Sequence, residues 1–371
     1  MENKECHVFL ELLRAGLWEQ ETLISFLGKI DFSSVYDLAE VQSVVGLVAA
    51  GLEYAKGHNV SHDNMLQIIG QALQIEQRND AMNNFIGGIV EKMRGADIYT
   101  LLIKGQGVAQ CYLRPSWRSA GDVDFLLSRD NYQKAAKFLR QFASSVDEEN
   151  SYTQHLAMSI DNWEVELHGT MRTDLWKRID KVLDEVQNEL FYCGSVRSWM
   201  VGKTYVFLPR ADEDVVYVFA HILQHFFKEG VGLRQICDWC RLLWTFRDTI
   251  DIKLLESRVR EMDAMSEWKA FAYFAVNYLG MPVKAMPFYV ESSKWHRKAD
   301  KILSYILETG NFGHKRDMTF VQETSIIERK WKMFCHITKD SARQFLIFPL
   351  DSTRVWCHMM GIGLRVLIKG K

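Results

Sequence analysis

The segment Gly121-Asp122-Val123-Asp124-Phe125-Leu126-Leu127 constrains this chain more than any other. Two acids stand at i and i+2, and an apolar run follows. Such a short run reads as a buried strand, and side chains alternate faces along a strand. Asp122 and Asp124 therefore project the same way, as like charges that repel unless a cation lies between them. Mg²⁺ suits the pair, because it takes carboxylate oxygens together with substrate phosphates. The pattern predicts a sheet carrying metal-dependent phosphate chemistry on one face. The alternative reading is an ordinary solvated acidic face.

Two other segments bear on that choice. Leu101-Leu102-Ile103 runs into Lys104-Gly105-Gln106-Gly107, and a helix-like stretch follows. Glycines let a backbone approach a ligand closely, and the N–H groups of a helix start beside a lysine cradle phosphate. The spacing and the Gly-Lys-Ser/Thr ending of a Walker A loop are missing, and a plain turn is the alternative. Downstream, Trp163-Glu164-Val165-Glu166-Leu167-His168 alternates throughout. Trp163, Val165 and Leu167 share one face, and Glu164, Glu166 and His168 share the other. Alone, this is a half-buried strand with a polar outer face.

Taken in order, the three pieces are a glycine turn after an apolar strand, a strand with Asp-x-Asp, and a later strand bearing a further acid. The chain resembles the nucleotidyltransferase superfamily typified by DNA polymerase β, in its small, minimal branch. It is more closely similar to a family known only as uncharacterised nucleotidyltransferases. The residues behind the resemblance are Lys104-Gly105, Arg118, Gly121-Asp122-Val123-Asp124 and Glu166-Leu167-His168. His221-Ile222-Leu223-Gln224-His225, with Arg234 and Asp238, also fits.

The resemblance implies Mg²⁺-dependent transfer of a nucleoside monophosphate from a nucleoside triphosphate to an acceptor hydroxyl, with pyrophosphate released. Asp122 and Asp124 would hold the nucleotide-side ion. Glu166 would hold the second ion and help deprotonate the acceptor, with Glu164 on the same face as the alternative third carboxylate. Lys104, Gly105, Gly107 and Arg118 would bind the nucleotide, and Arg114 is a further candidate for the phosphates. The acceptor stays open among a small molecule, a sugar-phosphate and a protein. One departure stands out: where the superfamily places Gly-Ser, this chain has Gly105-Gln106-Gly107, so backbone amides or Lys104 would replace the serine contact. Two rivals remain. One is a phosphotransferase using the same carboxylates, and the other is a non-catalytic member that binds nucleotide or a protein.

Composition narrows the class. At 371 residues, 48% hydrophobic and 25% charged, the chain is ordinary for a globular protein of two or three packed units. Five prolines favour long helices, and a formal charge of −2 lacks the basic excess of a general nucleic-acid binder. No signal-peptide pattern opens the chain, and no stretch reaches the roughly 18 apolar residues of a spanning helix. Seven cysteines without framework spacing read as reduced thiols in a cytoplasmic protein.

The fold class expected is α+β. A small mixed-sheet core over residues 96–205 is flanked by helical regions at 1–95 and 206–371. Within the first helical region, Gln77-Arg78-Asn79-Asp80 reads as a polar break. Asp130 and Gln133 read as a capping box for a helix running to about Phe142, followed by a loop at 144–151. Strands at 155–160 and 163–168 read as a hairpin turning at Asp161-Asn162. Asp212-Glu213-Asp214 loads a helix start, and Thr309-Gly310-Asn311-Phe312-Gly313 reads as a loop. The basic, aromatic C-terminal segment is expected to pack on the bundle, an interfacial membrane helix being the other reading. His221 and His225 share a helical face. With Cys237 and Cys240 they would suit zinc, but cysteines beside apolar residues read better as core. His225, Arg234 and Asp238 either line the cleft or form a buried polar network.

Overall fold

Apolar periodicity of 3.6 at both ends and of 2 in the middle becomes helix, sheet and helix again. The computed structural model describes residues 4–24, 30–57, 60–194, 196–311 and 326–369. The first helices are α1 (Lys4–Trp18), α2 (Phe32–Val41), α3 (Val45–Tyr54) and α4 (His62–Gly95). Asp31 caps α2 by accepting from Ser33 N–H, and Ser61 caps α4 by accepting from Asn64 N–H. Two short strands, β1 (Thr22–Leu23) and β2 (Ala55–Lys56), pair in parallel and interrupt what the sequence read as all helix. Helices α1 and α3 touch backbone to backbone. A Cβ added at Gly51 would sit 1.9 Å from Leu12 O, and one at Gly16 would sit 1.9 Å from Leu47 O.

The expected polar break at Gln77–Asp80 does not occur, because α4 passes straight through it. Asn79 is buried there, and its Nδ2 donates to Ser116 O at 2.7 Å and Arg118 O at 2.8 Å. The polar stretch is a docking point for another segment, which a one-dimensional pattern cannot distinguish from a helix end.

The middle of the chain forms β3 (Leu101–Ile103), α5 (Gly105–Ala109), β4 (Val123–Leu126), α6 (Arg129–Leu139) and β5 (Ser145–Val146). Then come β6 (His155–Ile160), β7 (Trp163–His168), α7 (Lys177–Tyr192) and the hairpin of β8 (Arg197–Val201) with β9 (Thr204–Leu208). The main sheet runs β3-β4-β7-β6-β5, with β4 and β7 parallel and the other pairs antiparallel. The β6–β7 hairpin turns at Asp161 (φ 50°) and Asn162 (φ 68°), the left-handed pair that a two-residue hairpin loop requires.

Two local readings need correction. Ser128, not Asp130, occupies the N-cap of α6, because its extended backbone (φ −63°, ψ 158°) ends the loop there. Asp130 instead lies in the first turn, where the macrodipole favours it. The helix stops at Leu139, and β5 pairs with β6 inside the expected loop.

The second helical half comprises α8 (Ala211–Lys228), α9 (Leu233–Thr245), α10 (Ile252–Glu261), α11 (Met265–Leu279) and α12 (Ser293–Thr309). It ends with α13 (Ile326–Phe345) and α14 (Pro349–Lys369). Asp212, Glu213 and Asp214 fill the first turn of α8. Gly310 caps α12, while Phe312 and Gly313 of the expected loop lie outside the described residues. Phe348 and Val355 pack the start of α14 into the helical core, while the beginning of the basic C-terminal segment, from Lys315, lies outside the described residues. Among the described residues, no helix is long and apolar enough to cross a membrane.

Two apolar cores result, and α4 bridges them. Ile68 and Ala72 join the helical core, while Met82, Ile86, Val90 and Met93 join the sheet core. Strand β4 divides the same way: Val123 and Phe125 enter the sheet core, and Leu126 enters the helical core. Asp124 shares the face of Leu126 and therefore looks toward the helical half.

Substituting Gly51→Ala is expected to destabilise the fold by about 1–3 kcal/mol, although alanine favours an isolated helix. Urea denaturation against wild type measures it. A second expectation concerns the C-terminal helix. Burial, then contact with Asp351 on α14, pushes the Glu267 carboxyl on α11 up to about 8. A folded pKa above the unfolded one contributes stability below the ordinary carboxylate range, and that stability is lost as pH rises through about 8. The thermal midpoint of wild type should fall relative to Glu267→Gln between about pH 5 and about pH 9.

Candidate active site

Parallel pairing of β4 with β7 sets Asp124 directly against Glu166. Asp122 stands one residue ahead of β4, on the face of Asp124. One oxygen from each of Asp122, Asp124 and Glu166 lies within 4.8 Å of the other two. Glu164 is exposed and faces Ser159 across β6, outside this group. The two-residue offset on β7 decides between the two glutamates.

Basic groups surround the three carboxylates. Lys104 Nζ lies 2.6 Å from Asp124 Oδ1. His168 Nε2 is 2.8 Å from the same oxygen and 3.3 Å from Glu166 Oε2, and His155 Nε2 is 3.0 Å from Glu166 Oε2. Lys104 reaches its place from a sparsely populated backbone conformation, φ 54° and ψ −145°, just before α5. Such a conformation costs about 1–3 kcal/mol, and surrounding contacts must hold it. The buried ion pair with Asp124 and the left-handed Gly105 (φ 36°) that follows are the local means.

Charge proximity shifts the titration of these groups. The Asp124 charge, with burial second, pushes Asp122 up to about 6. Burial drives Glu166 upward, but hydrogen bonds from His155 and His168 and the charge of Lys104 outweigh it and hold the carboxyl well below its usual range. Burial opposes protonation of His168, and its bonds to Asp124 and Glu166 reverse the sign, so it titrates above a free imidazole. Lys104 is likewise opposed by burial and raised by Asp124, Tyr217, Glu166 and Asp122. Tyr217 on α8, buried beside them, is pushed up to about 12.

Asp122 and Asp124 open into a small cleft of about 50 Å³ between the sheet and α8–α9. Lys104, Gly105, Asp122, Asp124, His221 and Arg234 are among its lining residues. Arg118 and Asp238 also line it, but as a buried bidentate pair, Nε to Oδ1 and Nη2 to Oδ2, both 2.7 Å. Tyr112 donates to the same carboxylate at 2.8 Å. Arg234 donates from Nη1 to Ser119 O at 2.8 Å, and burial, then Arg118, pushes its guanidinium down.

Gln106 sits where the resemblance leads one to expect serine. It is buried, and its Nε2 donates to Asn79 Oδ1 at 2.7 Å, away from the acids. Gly107 is needed for packing: a Cβ there would lie 3.1 Å from Leu208 Cδ2 and 3.4 Å from Leu102 O. Arg114 is not brought to the cleft. Its guanidinium pairs with Glu53 near the surface, at 2.6 and 2.5 Å.

Of the remaining candidates, His221 and His225 bond to each other through their Nε2 atoms at 2.7 Å, and His225 Nδ1 contacts Glu229 Oε2 at 2.8 Å. Cys237 and Cys240 are buried in the helical core, and burial pushes both thiols above their ordinary range. Among the described residues these four do not gather as a group of metal-ligand atoms. Asp238 with Arg118 forms the buried polar network that was one of the two readings of this segment.

Sequence reasoning missed His155, Tyr217 and Asn79. The signal for His155 was present, because a two-residue turn at Asp161-Asn162 places it opposite His168. No local signal marks Tyr217 or Asn79, whose roles depend on helices distant in sequence.

Residues 28–280 match a family model described as an uncharacterised nucleotidyltransferase. No curated protein matches the chain. Among solved structures, the crystal structure of an antigenic nucleotidyltransferase-like protein from Paracoccidioides brasiliensis aligns with 56% of this chain and 95% of its own, at 12% identity and a TM-score of 0.32.

Breaking the Arg118–Asp238 pair leaves a buried charge alone. Arg118→Ala is expected to destabilise the protein by about 3–5 kcal/mol, and Tyr112→Phe by about 1 kcal/mol, both read by urea denaturation.

Proposed function

The chain belongs to the uncharacterised nucleotidyltransferase family, and from that premise we propose that it moves a nucleoside monophosphate from a nucleoside triphosphate to an acceptor hydroxyl in a Mg²⁺-dependent reaction. The observation that carries this reading is the convergence of Asp122, Asp124 and Glu166 from two strands held in register.

The donor set suits Mg²⁺. It consists of hard carboxylate oxygens, and the charge of Asp124 already lifts Asp122 to about 6, a repulsion that a cation relieves. The ion pairs of the protein use Oδ1 of Asp124 and Oε2 of Glu166, and each carboxylate has a second oxygen. In our reading Asp122 and Asp124 hold the nucleotide-side ion and Glu166 holds the other. When bound, two Mg²⁺ ions would stabilise the attacking and leaving oxygens of the displacement.

The side chains of the protein do the rest. Lys104 and Arg234 bring positive charge from opposite walls of the cleft, where triphosphate charge accumulates. Because Gln106 is engaged with Asn79, phosphate contact falls to these cations and to the backbone N–H groups at Gly105 and Gly107. Arg118 acts at one remove, by fixing α9 against the segment before β4. Glu166, kept anionic by His155 and His168, orients the acceptor hydroxyl and receives its hydrogen bond. The chain's seven free cysteines suit the reducing cytoplasm that we propose as its location.

A second reading has one observation in its favour. With Gln106 turned inward and Asp124 covered by Lys104 and His168, the site suits nucleotide binding without transfer. Calorimetry with each of the four nucleoside triphosphates, with and without Mg²⁺, separates the two. Binding is expected to require Mg²⁺ and to weaken at least about tenfold in Asp122→Ala/Asp124→Ala. Mg²⁺-independent binding that survives the double substitution would establish the binding-only reading. Product masses after incubation with acceptor extracts distinguish nucleotidyl from phosphoryl transfer.

A further inference from the structure

His155, Glu166 and His168 form a second group of ligand atoms beside the carboxylates, and the reaction proposed above does not use the imidazoles as ligands. The β6–β7 register places His155 opposite His168, with ring centroids 4.9 Å apart. Both rings turn Nε2 toward one oxygen, Glu166 Oε2, at 3.0 and 3.3 Å. One donor atom from each of the three residues lies within 4.8 Å of the others.

Two imidazole nitrogens with one carboxylate oxygen differ chemically from the all-oxygen set of Asp122, Asp124 and Glu166. Carboxylates suit Mg²⁺, whereas imidazole suits Zn²⁺ and its neighbours. Two histidines and a glutamate are also a donor set that holds zinc while leaving a coordination position open. Glu166 belongs to both groups and can serve as a shared ligand.

We propose that His155, Glu166 and His168 bind a borderline transition-metal ion of the Zn²⁺ class, which takes the place of the second Mg²⁺ ion at Glu166 and makes the acceptor side of the cleft chemically distinct from its nucleotide side. The use of that ion in catalysis rests on the function proposed above; its binding does not. Nε2 of His155 lies against Glu166 and Nε2 of His168 against Asp124, contacts that require an N–H on each of these nitrogens. Metal uptake therefore displaces protons to solvent. The His155 side chain is 33% exposed, which gives an ion a route in.

The test is calorimetry of the full chain with ZnCl₂ alone and, separately, with Mg²⁺–nucleotide, on wild type, His155→Ala and Asp122→Asn. Co²⁺ replaces Zn²⁺ as a spectroscopic reporter. Zn²⁺ affinity is expected to fall at least about tenfold in His155→Ala and to hold in Asp122→Asn, whereas Mg²⁺–nucleotide binding is expected to weaken in Asp122→Asn. The Co²⁺ spectrum should show d–d bands without a thiolate charge-transfer band, which separates this site from the exposed Cys193, Cys335 and Cys357. Zn²⁺ binding indifferent to His155→Ala, or a thiolate band, overturns the proposal. If His155→Ala does not fold, His155→Gln keeps a donor to Glu166, removes the imidazole and gives the same readout. In wild type, Mg²⁺–nucleotide binding without Zn²⁺ binding overturns this inference alone. Zn²⁺ binding by wild type without Mg²⁺–nucleotide binding overturns the function and leaves the ion site standing.

Discussion

The parallel pairing of β4 with β7 governs the rest of this structure. Among the described residues it is the one parallel contact in the main sheet, and it places Asp124 against Glu166 while Val123 meets Val165. Strand faces alternate with a period of two, so a slip of one residue would send Glu166 into the sheet core and bring Val165 to the cleft. Burial of Val165 and Leu167 on the far face makes that slip costly. Apolar packing on one face thus sets the geometry of the acids on the other.

A buried polar chain ties the helical halves to this sheet. Gln106 bonds Asn79 of α4, and Asn79 holds the backbone of Ser116 and Arg118. Arg118 in turn grips Asp238 of α9, which Tyr112 also contacts. Segments more than a hundred residues apart meet through groups that are costly to bury unpaired. The same network explains why the glycine turn departs from a Gly-Ser pattern: the glutamine in it braces α4 and does not face the cleft.

The electrostatics of the site follow from crowding three carboxylates under helices. Lys104, His155 and His168 offset them, and burial strengthens each of these contacts. The outcome is uneven. Asp122 is lifted by its neighbour, while Glu166 is held low by its histidines. Two acids on one sheet face therefore differ in how readily they take up a proton, which suits them to different roles.

Much of this was legible in one dimension. Residue alternation identified β6, β7 and their turn at Asp161-Asn162, the apolar run identified β4, and motif order singled out Asp122, Asp124, Glu166 and Lys104. These are local properties, set by backbone geometry and side-chain periodicity within a few residues. What the sequence could not decide depends on distant partners. Asn79 reads as part of a helix break until Ser116 and Arg118 meet it, Arg114 and Arg118 both read as phosphate contacts until Glu53 takes one and Asp238 the other, and Gln106 stands in the place of a serine contact with no role of its own until Asn79 of α4 engages it. Pattern and propensity act over one or two turns of chain, whereas the partner of a buried polar group is chosen by the packing of whole elements. The tertiary structure alone therefore decided which charges reach the cleft and which are engaged in holding it together.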